Sequence, residues 1–542
     1  MGWNAKKQRQ ERFRRQFGEN PLHRSGAEWI RERLDKIKIY QEETQVAIDD
    51  IMWNDLEMDE VFLRINNTKS FMGEQVLYQR LHDLNWCEEW ERLENKVEYL
   101  TEKEEMRLIL EEKLATIGKQ EEHYYLPSFI LHAEYWKVEK EWGLRLLQLL
   151  LALFLIGSIV LDSVLCIWGF GGVAIINLMI YFYMKQRYEV YLFSLGSLKE
   201  ILYFGKWMTN DVQRSKLFVN EEVLEAVTEL EKFTKWIGNW QGRKYAGMNG
   251  DIMYLLNDYL MGMALIDVAS FNRIMKVIMK KQDKVMRLYE FAGELDMMIS
   301  IASFRESINQ WCVPKLTCKE KICGKEIVHP LLGQPVANDF CLEKRAMITG
   351  ANASGKSTFM KALAVNVILA QTIHTCAAKE FYLPKISVMT SMALQDDILT
   401  GESYYVREVK YLKRMLDKAT HSENKKWNEK EDKQTVLYVI DEMLKGTNTK
   451  ERLAASAAVL DYFAHADSFV LVATHDTELV WEQQKKYEAY YFESRITEED
   501  ILFDYQIHKG IGGSSNAIAL LALYEFPELV IKGAKEKLYA NW

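Results

Sequence analysis

At 542 residues, with 48% hydrophobic and 12% aromatic content, the chain has apolar material for more than one core, which excludes a single small domain. Only 7 prolines among abundant Leu, Glu, Lys and Met favour long helices over a sandwich of short strands. A net charge of -9 excludes a uniformly basic coat, though not a local phosphate-binding surface, and 7 irregularly spaced cysteines point to a reducing compartment.

The chain opens with Lys6, Lys7, Arg9, Arg12, Arg14 and Arg15, and no signal-peptide core follows, so residues 1–40 are read as a solvated basic arm, with contact to anionic lipid or nucleic acid as the alternative. Residues 41–143 read as the first part of a helical core, because apolar positions such as Trp90, Leu93, Val97 and Leu100 recur three and four apart among charges. Residues 144–187 stand apart: across Leu144 to Met184 the ionisable residues other than tyrosines are Arg145 and Asp162. That run is long enough for two membrane helices turning at Asp162-Ser163 or at Gly169 to Gly172. Lys137, Lys140 and Arg145 flank its entry and Lys185 and Arg187 its exit, which places both flanking domains in the cytoplasm and the hairpin in membrane lipid. A hairpin buried in a protein core is the bland alternative.

Residues 188–310 return to an amphipathic helical pattern, with a glycine-containing loop expected from Gly238 to Gly250. Beyond Pro314, short β-type runs alternate with helices, so residues 311–542 read as an α/β domain with a parallel sheet. Cys312, Cys318 and Cys323 near His329 lack the Cys-x-x-Cys pairs of structural zinc. The charged stretch His421 to Gln434 reads as a solvated loop.

The strongest chemical signal is an apolar strand running into Gly350, Ala351, Asn352, Ala353, Ser354, Gly355, Lys356, Ser357 and Thr358, followed by an amphipathic helix. Glycines let such a loop wrap phosphates, so that backbone N–H groups and the positive end of the helix face the anion. Lys356 is expected on the β- and γ-phosphates of ATP and Ser357 on Mg2+. The strand from Thr435 ends in Asp441-Glu442, where Asp441 suits the metal and Glu442 the attacking water as catalytic base. Another strand ends at His475, placed to sense the γ-phosphate, because ligands gather at the carboxyl ends of parallel strands.

These elements, in this order, resemble the MutS family of DNA mismatch-repair ATPases. The resemblance is carried by His329 to Leu332, Asn338-Asp339, the glycine loop, Ala370-Gln371, Ser403 with Glu408, Asp441 to Thr449 and Ala473 to Leu479, and near the end by Asp504 to Ala522. Thr68 to Leu81 resembles the opening of the family's helical core, and Glu294 to Glu306 its return. Ala351, Ala353 and Ser354 depart from the family's usual loop, and Lys445 stands where it usually has Arg. The resemblance implies an ABC-type P-loop ATPase domain preceded by an all-α core and lever domain. It also implies a dimer with a second MutS-type chain, Ser403 of one chain facing the γ-phosphate bound by the other, and duplex DNA as a partner. Too little chain precedes the core for mismatch-reading domains, so Phe17-Gly18-Glu19 is read as a chance likeness to a mismatch wedge. The apolar hairpin falls about where the family's DNA clamp emerges. Two other functions remain open here: an ABC transporter subunit, and a non-hydrolytic tether in which ATP only holds a dimer.

Overall fold

The computed structural model describes the chain apart from residues 1, 25–30, 45–47, 85–89, 139–140, 246–258, 318–320, 393–403, 425–434, 497–500, 513–517, 519–520, 523 and 540–542. Two compact units emerge, each assembled from three stretches of chain: Met1–Val46, Asn66–Gln79 and Arg92–Ser303 in the first, Ala47–Ile65, Arg80–Glu91 and Phe304–Trp542 in the second.

The first unit is helical. Its opening helix, Gly2–Gln16, is no solvated arm. Phe13 is 2% exposed, while Lys6 and Gln10 reach Glu112 and Arg14 pairs with Glu104, both acids on the helix Glu104–Ile117. Exposed pairs of this kind contribute little, so burial of Phe13 is what holds the helix, and the charges set its register. Phe17 lies under the Arg107 guanidinium at 3.5 Å and the Gly18 N–H donates to Ser303, so this tripeptide is part of the packing.

Two segments far apart in sequence meet at Asp296. This fully buried carboxylate accepts hydrogen bonds from the backbone N–H of Lys69 (2.9 Å) and from the N–H and hydroxyl of Ser70 (2.7 and 2.6 Å). It thereby fixes the entry to the helix Phe71–His82, where the Phe71 N–H donates to the Gly118 carbonyl (2.9 Å) and the Gly73 N–H to the Ser70 hydroxyl (3.1 Å). Gly73 leaves room for it, since a Cβ there would stand 2.4 Å from the carboxylate. Beside it Glu74, also buried, accepts from Asn66 (3.1 Å), Lys119 (2.7 Å) and the Tyr124 hydroxyl.

The apolar run folds as a helical hairpin. Helices Glu141–Val160 and Val164–Thr209 are joined by a short turn in which Asp162 has a left-handed φ of 45°. The other candidate turn, Gly169 to Gly172, lies inside the second helix, where Gly169 seats the Phe154 ring and allows close approach. Both helices are long and apolar enough to cross a membrane. Farther on, the helix Glu221–Tyr245 runs straight through Gly238, so the expected loop does not begin there; the rest of it, from residue 246, lies outside the described residues.

The second unit is α/β. We number its strands β1 (Lys315–Leu316), β2 (Ile322–Ile327), β3 (Asn338–Leu342), β4 (Arg345–Thr349), β5 (Glu380–Leu383), β6 (Ile386–Ser391), β7 (Thr435–Asp441), β8 (Phe469–Ala473), β9 (Glu488–Ile496) and β10 (Ile501–Lys509). Six form one sheet in the order β10-β9-β4-β8-β7-β6, parallel except for β10, and four form a second in the order β1-β5-β2-β3. β7 and β8 are almost wholly buried, as their unbroken apolar runs require of strands covered on both faces. Cys323 and Cys341, cross-strand neighbours in β2 and β3, are disulfide-bonded, a pairing that the reducing-compartment reading did not foresee.

Early chain also contributes to this unit. The buried Asp55 accepts from the Thr390 hydroxyl (2.7 Å) and the Met392 N–H (3.0 Å) at the end of β6, and Arg80 donates to the Thr372 carbonyl (2.8 Å). The helix Tyr404–Asn424 takes up the first residues of the expected charged loop, whose remainder lies outside the described residues.

Asp296→Ala strands two backbone N–H groups and a hydroxyl in a dry interior, so it should lower stability to urea by about 2–4 kcal/mol. An unchanged urea midpoint would mean that these donors find other partners.

Candidate functional site

Three strand ends meet at one height. Ile348 of β4 pairs with Ala473 of β8, which pairs in turn with Asp441 of β7. The residues that follow, Gly350, His475 and Glu442, therefore leave the sheet side by side, and the Glu442 N–H still donates to the Ala473 carbonyl (3.0 Å).

After β4 the chain turns sharply into the helix Lys356–Thr372. Gly350 and Gly355 take φ of 147° and 102°, and a Cβ at Gly350 would sit 2.9 Å from the Ser354 hydroxyl and 3.0 Å from the Phe492 carbonyl. Ala353 is left-handed as well, at φ 64°. Lys356 folds back over the loop, donating to the carbonyls of Gly350 (2.7 Å) and Ala351 (2.9 Å). Burial lowers the pKa of its ammonium, while Glu442 and Asp441 act in the opposite direction. Ser354, 1% exposed, holds a hydroxyl oxygen that meets no protein partner.

Across the loop, the Ser357 hydroxyl donates to Asp441 at 2.5 Å. This pair of hard oxygens at the start of a helix suits Mg2+, which favours carboxylate, hydroxyl and phosphate ligands. The unpartnered Ser354 hydroxyl and the crowded glycines suit a phosphate chain lying along the loop. Asn352 and Thr358 line the same cavity, of about 440 Å3, which continues over His329, Leu332, Pro335, Val336, Phe359 and Tyr505. That apolar lining suits a base, and Asn338 ties its walls together by donating to the Tyr505 carbonyl (3.0 Å) and accepting from the Ile507 N–H (2.7 Å).

Glu442 is held from both sides. His475 contacts one carboxylate oxygen, Lys445 approaches the other at 2.8 Å, and the second ring nitrogen of His475 lies 3.0 Å from the Gly350 carbonyl. Burial by itself raises the Glu442 carboxyl, but the hydrogen bonds from His475 and Lys445 more than offset it and bring its pKa down to about 2. The turn behind it is strained, with left-handed φ of 59° at Glu442 and 57° at Leu444. Glu408, buried on the helix Tyr404–Asn424, braces that turn by accepting from the Lys445 N–H (3.3 Å). Arg452 fixes the residue after His475 through a two-pronged pair with Asp476 (2.8 and 3.1 Å).

The structure thus brings Gly350 to Thr358, Asp441, Glu442 and His475 together, while Ser403 lies outside the described residues. The motifs did not announce the cavity walls Phe492 and Tyr505, nor the grip of Lys445 on Glu442. Only the spacing of Lys445, three residues after Glu442, could have suggested the latter.

A phosphate-sized loop between a buried parallel strand and a helix, facing two neighbouring strand ends, defines a P-loop nucleotide-binding fold. Residues 346–540 match the family model "MutS domain V". The chain is 27% identical over 289 residues to a DNA mismatch repair protein MutS of Leptospira interrogans, covering 50% of this chain and 32% of that protein. It is 27% identical over 288 residues to one of Clostridium kluyveri, covering 49% and 31%, and 28% identical over 284 residues to the human MutS protein homolog 4, covering 48% and 29%. Residues 346–540 are thus similar to domain V of MutS proteins. Each of these matches spans about a third of the relative's length.

A carboxylate lowered on folding stabilises the fold above its ordinary value of 4.5, and that contribution disappears as the pH falls from there towards 2. Lys445→Met should therefore reduce the melting temperature more at about pH 6.5 than at about pH 3. Equal losses at both pH values, read by scanning calorimetry, would mean that Lys445 acts by packing rather than by charge.

Proposed function

We propose that this chain is a membrane-attached ATPase with an ABC-type nucleotide domain, working as a dimer whose nucleotide state moves helical arms that engage duplex DNA. The observation that carries the ATPase reading is the convergence of Lys356, the Ser357–Asp441 pair, Glu442 and His475 at three adjacent strand ends.

In this reading the loop N–H groups and Lys356 bind the β- and γ-phosphates, drawing Lys356 away from the Gly350 and Ala351 carbonyls. Ser357 and Asp441 would hold Mg2+, which would neutralise phosphate charge. Glu442 is ionised throughout the neutral range, so it orients the attacking water and accepts its proton. In the arrangement described, both of its oxygens are engaged by His475 and Lys445. Each oxygen keeps a second acceptor site, through which the attacking water can approach. His475, bridging Glu442 and the loop, is placed to register the γ-phosphate. Ser403 is assigned to the neighbouring chain's nucleotide by family likeness, so hydrolysis requires the dimer.

The DNA part follows the relatives, whose printed names describe DNA mismatch repair. The membrane part rests on the hairpin. Leu149, Leu153, Ile156, Ile159, Leu165 and Trp168 are all more than half exposed on its outer faces, an apolar surface that lipid would cover. Both ends then lie in the cytoplasm at the cell membrane, in line with the basic residues flanking the run.

Phosphate release by the detergent-solubilised full chain tests the enzyme reading. Lys356→Ala should lose nucleotide binding, and Glu442→Gln should bind ATP yet hydrolyse it about 100-fold or more slowly. Wild-type release no faster than that of Glu442→Gln would leave ATP as a static clamp. Stimulation by duplex DNA that falls as salt rises is the expected signature of DNA engagement, and indifference to DNA would remove that part of the proposal.

A further inference from the structure

Behind the hairpin sits a short helical segment, residues 259–263, that ends in a turn at Ala264 and Leu265 before the helix Ile266–Lys280 begins. Leu265 is left-handed at φ 52°, and this break takes the Met263 and Ala264 carbonyls out of the helical ladder. Hairpin side chains supply what is missing. Asn177 donates to the Met263 carbonyl at 2.8 Å and Gln148 to the Ala264 carbonyl at 3.0 Å. Around them Met263 and Ala264 pack on Leu151, Val173 and Ala174, and Gly262 lies flat against the Tyr181 ring, where a Cβ would come within 2.6 Å. The outward side chains of the segment, Tyr259 and Leu260, are 50% and 53% exposed.

The depth of these contacts gives them meaning. From Val160 back to Gln148, and from Val164 on to Asn177, the two helices rise roughly 18–20 Å at 1.5 Å per residue. From Val164 to Met184, just before Lys185, the rise is roughly 30 Å, the thickness of a bilayer's hydrocarbon core. Trp142 and Tyr183, both exposed, stand at the base of the hairpin as interfacial anchors. With the hairpin crossing and Asp162 at the far surface, Gln148 and Asn177 lie about 10 Å inside the hydrocarbon, where water cannot satisfy a carbonyl. Two amides aimed at two freed carbonyls at that depth are what a chain break in lipid demands.

We propose that residues 259–265 form a third membrane-embedded element, a short helical segment that faces lipid acyl chains through Tyr259 and Leu260 and is fastened to the hairpin by Asn177 and Gln148. The inference rests on the membrane reading of residues 144–187 and extends it. The return helix Ile266–Lys280 then starts from inside the lipid, so its motion is transmitted to the hairpin through these two hydrogen bonds.

The test places a genetically encoded fluorescent side chain at position 260 of the full chain, reconstituted in phosphatidylcholine vesicles with or without bromine on the acyl chains. Position 165, near the hairpin tip, and position 212, an exposed site on another helix of the same unit, serve as references. Brominated lipid should quench 260 to an extent comparable with 165 and leave 212 unaffected. Replacing both amides, Asn177→Leu with Gln148→Leu, should reduce the quenching at 260 while that at 165 persists. Quenching at 165 without quenching at 260 overturns the third element and leaves the hairpin anchor standing. Absence of quenching at both overturns the membrane reading itself.

Discussion

Level strand ends are the constraint from which the rest of the nucleotide unit follows. Because β4, β8 and β7 are parallel and paired so that Ile348, Ala473 and Asp441 stand abreast, the next residue or two of each strand must leave the sheet at one edge. A one-residue slip in either pairing would turn every side chain to the opposite face and move Asp441 away from Ser357. The register is fixed by burial. The apolar residues of β7 and β8 pack among Met347, Leu460 and Phe463, and the Tyr438 and Phe463 rings meet at 4.8 Å.

That rigid edge supports a strained one. Left-handed backbone at Ala353, Glu442 and Leu444 costs on the order of 1–3 kcal/mol each and persists only where the surroundings hold it in place. Here the surroundings are specific. Glu408 accepts the Lys445 N–H, Arg452 grips Asp476, and Lys356 spans the loop carbonyls. Each of these contacts joins one strand-end turn to a neighbouring helix or loop, so a change at one turn is felt at the next.

What is legible in the sequence is what is local. The glycine loop is bounded by a strand and a helix whose apolar patterns lie beside it in the chain, and Asp441-Glu442 and His475 each close an apolar run that can only be a buried strand. The hairpin shows itself by its length and by holding only Arg145 and Asp162 as charges between Leu144 and Met184. Less legible are features made by distant partners. Phe13 holds an arm-like helix in place because Glu104 and Glu112 present an acidic face a hundred residues away, which no local pattern reveals. Tyr505 reaches the nucleotide cavity through an antiparallel edge strand and a register shift between Phe503 and Ile507. The segments Thr68 to Leu81 and Glu294 to Glu306, far apart in the chain, are joined by a single buried carboxylate, Asp296.

Asp55 and its two partners at the end of β6 are 335 and 337 residues apart in the chain. A ribosome adding roughly 5–20 residues per second needs on the order of 20–60 s to deliver the second half of that contact. During the interval the short helix Asp50–Asp55 carries Met52 and Trp53, both destined for burial, with no β6 to receive them. The nucleotide unit is thus completed late, by strands that arrive after the entire helical unit has been made. Its earliest pieces must be sheltered in the nascent chain from the apolar hairpin that emerges between them and their proper neighbours.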